Sequence, residues 1–168
     1  MRHSQLLIAS GFWLCVGSAI ASAGSREAGL WEMTSTTTWQ KAPSSSGPDG
    51  NPMKGGTHTT QVCLTQEMID KFGALLPHSR GQCTISNKVI APGTVSADYV
   101  CSGSMSGKGA LQSTWSDNEH EKGSIHFVGT MQVGSESQPI EWTTESTTVF
   151  KSADCGGIKP AAMPKPAE

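Results

Sequence analysis

Charge is scarce in this 168-residue chain: Asp, Glu, Lys and Arg together make up 15%, against about 25% in an average soluble domain. The few charges form no basic stripe and no block of one sign. Electrostatic binding to nucleic acid or to anionic lipid therefore has no footprint here. Apolar runs are equally scarce. Leu6 to Ile20 is the one long apolar stretch, and it is shorter than the roughly 20 residues that span a bilayer. The sequence also has no phosphate-binding glycine loop, no HExxH and no CxxC. Those absences exclude the commonest signatures of nucleotide, zinc-protease and dithiol chemistry.

The apolar run does have a reading. Arg2 and His3 precede it and Ala21-Ser22-Ala23 follows it, which is the pattern of a secretory signal peptide cut after Ala23. Cleavage leaves 145 of the 168 residues, one domain by length. Removing Arg2 leaves 11 basic and 14 acidic residues, a net charge of −3. The expected product is a periplasmic or secreted monomer with no transmembrane segment. Its domain covers residues 24–157, and residues 158–168 form a disordered Pro/Ala tail.

Cys15 leaves with the signal peptide. Cys63, Cys83, Cys101 and Cys155 remain, and an even count in an exported chain implies two disulfides. Two connectivities compete. In one, with Cys63–Cys155, a Cys83–Cys101 bridge would cross a hairpin that strand pairing already closes. Cys63–Cys83 with Cys101–Cys155 ties a helix to the sheet and anchors the last strand, and it is the preferred pairing.

Strand signals dominate the mature chain. Gly29 to Trp39 alternates, with Trp31, Met33, Ser35, Thr37 and Trp39 on one face. Lys41 to Gly56 is a Pro/Gly/Ser-rich break that reads as a mobile loop. Thr57 to Leu64 is a second strand. Thr65 caps a short helix from Gln66 to about Leu76, closed by Pro77. Gly81 to Gly103 then folds about Ala91-Pro92-Gly93 as a hairpin. The apolar register sets Val89 against Val95, Ile85 against Tyr99 and Cys83 against Cys101. Ser102 to Gly109 reads as a Gly/Ser loop and Asp117 to Gly123 as a polar turn. Ala110–Ser116, Ser124–Val133 and Pro139–Lys151 read as the remaining strands. The fold class is all-β with one short helix: an antiparallel meander of about seven strands curled into a half-barrel or barrel. The half-barrel with the helix across one opening is preferred.

Gly29-Leu30-Trp31-Glu32, then Cys63-Leu64-Thr65 before a short helix, then a Cys-bounded hairpin and a terminal Asp154-Cys155 together resemble a bacterial exported family. It is known only as a domain of unknown function, in the 3617 series. The resemblance covers Gly29 to Cys155 and implies fold and compartment, with no activity or site attached. Where members often carry Gly-Arg before the final cysteine, this chain has Phe150-Lys151-Ser152-Ala153.

Candidate chemistry is thin. Gly103-Ser104-Met105-Ser106-Gly107 has Met, not Ser, at the centre of a would-be nucleophile elbow. His58, His78, His120 and His126 lack ligand spacing, and Met33, Met53, Met105 and Met131 are scattered. No metal site and no cofactor are expected. Glu141 and Glu145 share an outward face, so no inward carboxylate pair supports acid–base catalysis, and the chain is not expected to be an enzyme. Trp31, Trp39, Trp115 and Trp142 all fall on predicted strands. They read either as core or as the lining of a cavity for a small apolar ligand behind the Lys41 to Gly56 loop. The competing function is an envelope interaction or structural module that binds another protein by an exposed strand edge.

Overall fold

The computed structural model describes residues 26–44, 55–73 and 82–161. The signal segment, residues 45–54 of the long loop, His78 and residues 162–168 lie outside the described residues. Within them the order is β1 (Gly29–Lys41), β2 (Gly56–Leu64), α1 (Gln66–Phe72), β3 (Gln82–Ala91), β4 (Thr94–Ser102), β5 (Met105–Thr114), β6 (His120–Val133) and β7 (Glu136–Ser152).

All seven strands form one antiparallel sheet in the order β2-β1-β7-β6-β5-β4-β3. From β3 to β7 the chain is a simple meander. The departure from a plain meander is β1, which lies between β7 and β2 and so joins the two ends of the chain. The sheet is open, since β2 and β3 are its two edges.

Side chains alternate along each strand, so one face collects the apolar residues. Trp31, Val95, Leu111, Phe127 and Ile140 are buried on that inner face. Helix α1 lies against it and reaches from one edge to the other. Met68 packs with Trp31 and Leu64 near β2. Phe72 packs on the Ala97, Leu111 and Ile125 cluster of β4 to β6. Gly73 abuts Ile90 of β3, and Lys88 of β3 donates to the Lys71 carbonyl. A helix that starts at one edge strand and touches the other requires the sheet to curl around it, which is the expected half-barrel shape.

The helix is capped as expected at its start: Thr65 Oγ1 accepts from the Met68 amide at 3.3 Å. It stops earlier than Pro77. Gly73, with φ 69°, takes the left-handed C-cap and donates its N–H to the Ile69 carbonyl at 2.7 Å.

Three sequence expectations about strands need correction. In the Cys83–Cys101 hairpin, Ile85 faces Tyr99 and Cys83 faces Cys101, but a bulge after Ser86 sets Val89 against Ser96 and Ile90 against Val95. Asn87 takes φ 49° there, and the extra residue turns Val89 outward. The Gly/Ser stretch before Gly109 is strand, not loop, because Met105 to Thr114 pairs along both neighbours. Its glycines make room for a ring. A Cβ on Gly107 or Gly129 would meet Phe127 at 2.9 Å, and one on Gly109 would meet it at 3.3 Å. Phe127 lies over all three and is fully buried. Finally, β6 begins at His120, so half of the expected polar turn is strand and Glu121 points inward.

The disulfides also differ from the preferred pairing: the bridges are Cys63–Cys155 and Cys83–Cys101. The cause is the strand order. Leu30 of β1 pairs with Cys63 on one side and Ser152 on the other. The chain leaving β7 therefore crosses the start of β1 and meets β2, bringing the Cys63 and Cys155 Cα atoms to 5.5 Å. The tail stays placed to Ala161, whose N–H donates to the Cys63 carbonyl at 3.0 Å. Disorder was expected from Ile158.

Phe127→Ala should lower stability by about 3–5 kcal/mol in urea unfolding. Both Gly107 and Gly134 take positive φ, but Gly107→Ala should cost more than Gly134→Ala, since a Cβ on Gly107 also meets the Val128 carbonyl and the Phe127 ring while Gly134 has open space. The reverse ranking would contradict the packing of Phe127 on glycine.

Candidate functional site

The inner face carries two distinct clusters at opposite ends of β1. At its start the cluster is polar and sealed. Arg26 forms an ion pair with Glu121, their side chains 1% and 3% exposed. Ser113 Oγ donates to Glu121 Oε1, and Thr148, the register partner of Glu121, is buried beside it. The Arg26 guanidinium lies 4.7 Å from the Trp31 ring centroid and 5.9 Å from that of Trp115, so two indoles flank the charge. Arg26 Nε and Nη1 have no hydrogen-bond partner among the described residues. Burial pushes the Arg26 pKa below its ordinary value, with Glu121 acting in the opposite direction. Trp31 Nε1 in turn donates to the Glu27 carbonyl at 3.0 Å, which pins the segment leading into β1. This cluster is closed to solvent and holds the start of the domain.

At the other end of β1 the cluster is apolar and partly open. Trp39 and Trp142 face each other across β1 and β7, and both are half-buried. Trp142 stacks on Phe127 with centroids 5.4 Å apart and rings inclined by 18°. Tyr99 meets Phe127 edge-on at 6.2 Å, and burial raises its pKa. Met105 and Met131 are register partners on β5 and β6. Together with Ile85 they pack around the buried Cys83–Cys101 bridge and Ile140. Ser44, just past β1, bonds to Gln138 Oε1 through both its N–H, at 2.7 Å, and its hydroxyl, at 2.8 Å.

The four sequence-selected tryptophans therefore do not line one cavity. Trp31 and Trp115 clamp Arg26; Trp39 and Trp142 form the apolar ledge. Trp39 lies eight positions beyond Trp31, which separates the pairs by about 27 Å of strand.

A family model described as Protein of unknown function (DUF3617) matches residues 26–155. The chain belongs to this family. Neither a curated protein nor a solved structure matches it. The matched span of this DUF3617 chain starts at Arg26 and ends at Cys155, so it contains both inner clusters and both disulfides. No helix among the described residues is long and apolar enough to cross a membrane.

The remaining candidates stay apart. His126 Nε2 lies 2.9 Å from Glu141 Oε1 on the outer face. His120 contacts Asp117, whose pKa is lowered chiefly by the hydrogen bond from the Glu119 amide. His58 is exposed on β2. Among the described residues no three His, Cys, Asp or Glu side chains group to hold a metal ion. Sequence reading missed Arg26 and Glu121: Arg26 precedes the first strand, and Glu121 falls in the expected Asp117 to Gly123 turn. Extending the odd-numbered alternation of Ile125 and Phe127 back to Glu121 would have turned that carboxylate inward.

Removing one partner of the sealed pair, as in Arg26→Met or Glu121→Leu, should destabilise the DUF3617 domain by about 3–5 kcal/mol, and the double variant should recover much of that loss. Urea unfolding of the three variants checks this. Single variants at wild-type stability would show that the pair carries nothing.

Proposed function

We propose that the protein is an exported, non-catalytic module, periplasmic or secreted, that binds a small apolar ligand on the Trp39–Trp142 ledge. One observation carries this reading. Trp39, Trp142, Met105, Met131 and Ile85 all face inward yet are only half-buried. Their remaining surface is apolar, aromatic and sulfur-rich, a chemistry suited to ligands of varied shape. Two disulfides support an oxidising compartment. The reading invokes no cofactor. Glu121 is sealed in an ion pair, and Glu141 with His126 lies on the outer face, away from the ledge.

A second reading, docking of an envelope protein on a strand edge, is favoured by β2. Residues 56–61 are exposed, and on the side away from β1 the described residues supply β2 with one bridge only, Cys63 to Pro160. Such an edge is a template for strand addition.

Native mass spectrometry of protein taken from the periplasm should show a bound small molecule. Trp39→Ala should lose that adduct while keeping the far-UV spectrum. A ligand-free protein whose tryptophan fluorescence ignores apolar probes would reject the ledge and leave the edge.

A further inference from the structure

A groove of about 550 Å³ opens on the outer face of the sheet, away from both inner clusters. It crosses β1, β7, β6 and β5, and the register shows how. Thr34, Thr147, Lys122 and Thr114 follow one another across the four strands. Thr36, Glu145, Ser124 and Gln112 form the neighbouring row. Three interstrand spacings give the groove a length of about 14 Å. Gly123 and Ser146 complete its lining, and a Cβ on Gly123 would meet Ser146 Oγ at 2.6 Å. The volume lies within the range of ligand sites, about 300–1,000 Å³.

Every side chain in these two rows ends in a hydroxyl, an amide, an ammonium or a carboxylate. Two charged pairs lie elsewhere on the outer face: Lys151 with Glu32 and His126 with Glu141. In the groove Thr34 and Thr36 share hydroxyl hydrogen bonds with Thr59 and Thr57 of β2, but the side chains on β5, β6 and β7 differ. Lys122 and Glu145 sit diagonally on adjacent strands, yet neither makes an ion pair among the described residues. The side chains of Gln112, Thr114, Ser124 and Thr147 likewise have no protein partner there. The groove thus gathers the unengaged donors and acceptors of Gln112, Thr114, Lys122, Ser124, Glu145 and Thr147 in one concavity.

The chemistry of the lining selects the ligand. No aromatic or aliphatic residue lines it; its apolar surface comes from Thr methyls and the stems of Lys122, Gln112 and Glu145, each next to a polar group, which suits the mixed faces of a sugar ring better than a wholly apolar ligand. One cation beside one anion gives no net attraction for a polyanion. A ligand rich in hydroxyls suits it: neighbouring hydroxyls donate to the Glu145 carboxylate and the Gln112 carbonyl oxygen, and ring or hydroxyl oxygens accept from Lys122 and the Gln112 amide. We propose that this outer groove binds a neutral saccharide chain.

Amide chemical shifts followed during titration with cellohexaose and with tetra-N-acetylchitotetraose test this, with an oligogalacturonate as the acidic control. At least one neutral probe should shift residues 122–124 and 145–147. Glu145→Ala and Gln112→Ala, both at exposed positions, should keep the fold and weaken that binding about tenfold each. Trp39→Ala should leave it unchanged, so the outcome is independent of the inner ledge. Shifts with neither neutral probe, shifts confined to the acidic control, or binding indifferent to both groove variants would overturn the proposal.

Discussion

The pairing of β1 with β7 is the interaction on which the other features depend. It joins residues more than a hundred positions apart; Thr37 and Thr144, for example, share a hydroxyl hydrogen bond of 2.8 Å across it. Trp39 meets Trp142 because of it. Arg26, just ahead of β1, reaches Glu121 because β1 lies beside β7 and β7 beside β6. Cys155 reaches Cys63 because both flank the start of β1. Such a contact closes a loop of more than a hundred residues and carries the corresponding loop-closure entropy.

On this frame the inner face is divided by Phe127. Its ring fills the space left by Gly107, Gly109 and Gly129 and supports Trp142 from below. On one side of it, burial is complete and the polar groups are neutralised in pairs. On the other, the Trp and Met side chains keep part of their surface open. A buried ion pair is weak evidence for stability in itself. Here it fixes the amino-terminal segment over Trp31 and Trp115, which accounts for two of the tryptophans without any ligand.

The fold class, the single helix with its Thr65 cap, and the inward residues of β1 and β4 are legible because period-two alternation is strong there. What escaped did so for identifiable reasons. Gly103 to Gly109 reads as a loop because glycine is a local breaker, and only a ring from a distant strand explains it as strand. Glu121 reads as turn because its partner, Arg26, is nearly a hundred residues away. The face of Val89 was misjudged because one extra residue at Asn87 inverts the alternation. The Cys pairing escapes because strand pairing already closes the Cys83–Cys101 hairpin, so a bridge there looks redundant, and sequence gives no sign that β1 inserts between β7 and β2. The outer groove is a product of register between four strands and has no linear signature.

Peptide mapping of the non-reduced protein, with cleavage between Cys83 and Cys101, tests the strand order most directly. Pairing of β1 with both β2 and β7 predicts linked peptides joining Cys63 to Cys155 and Cys83 to Cys101. Peptides joining Cys63 to Cys83 and Cys101 to Cys155 would contradict that order, and with it the placement of every site described above.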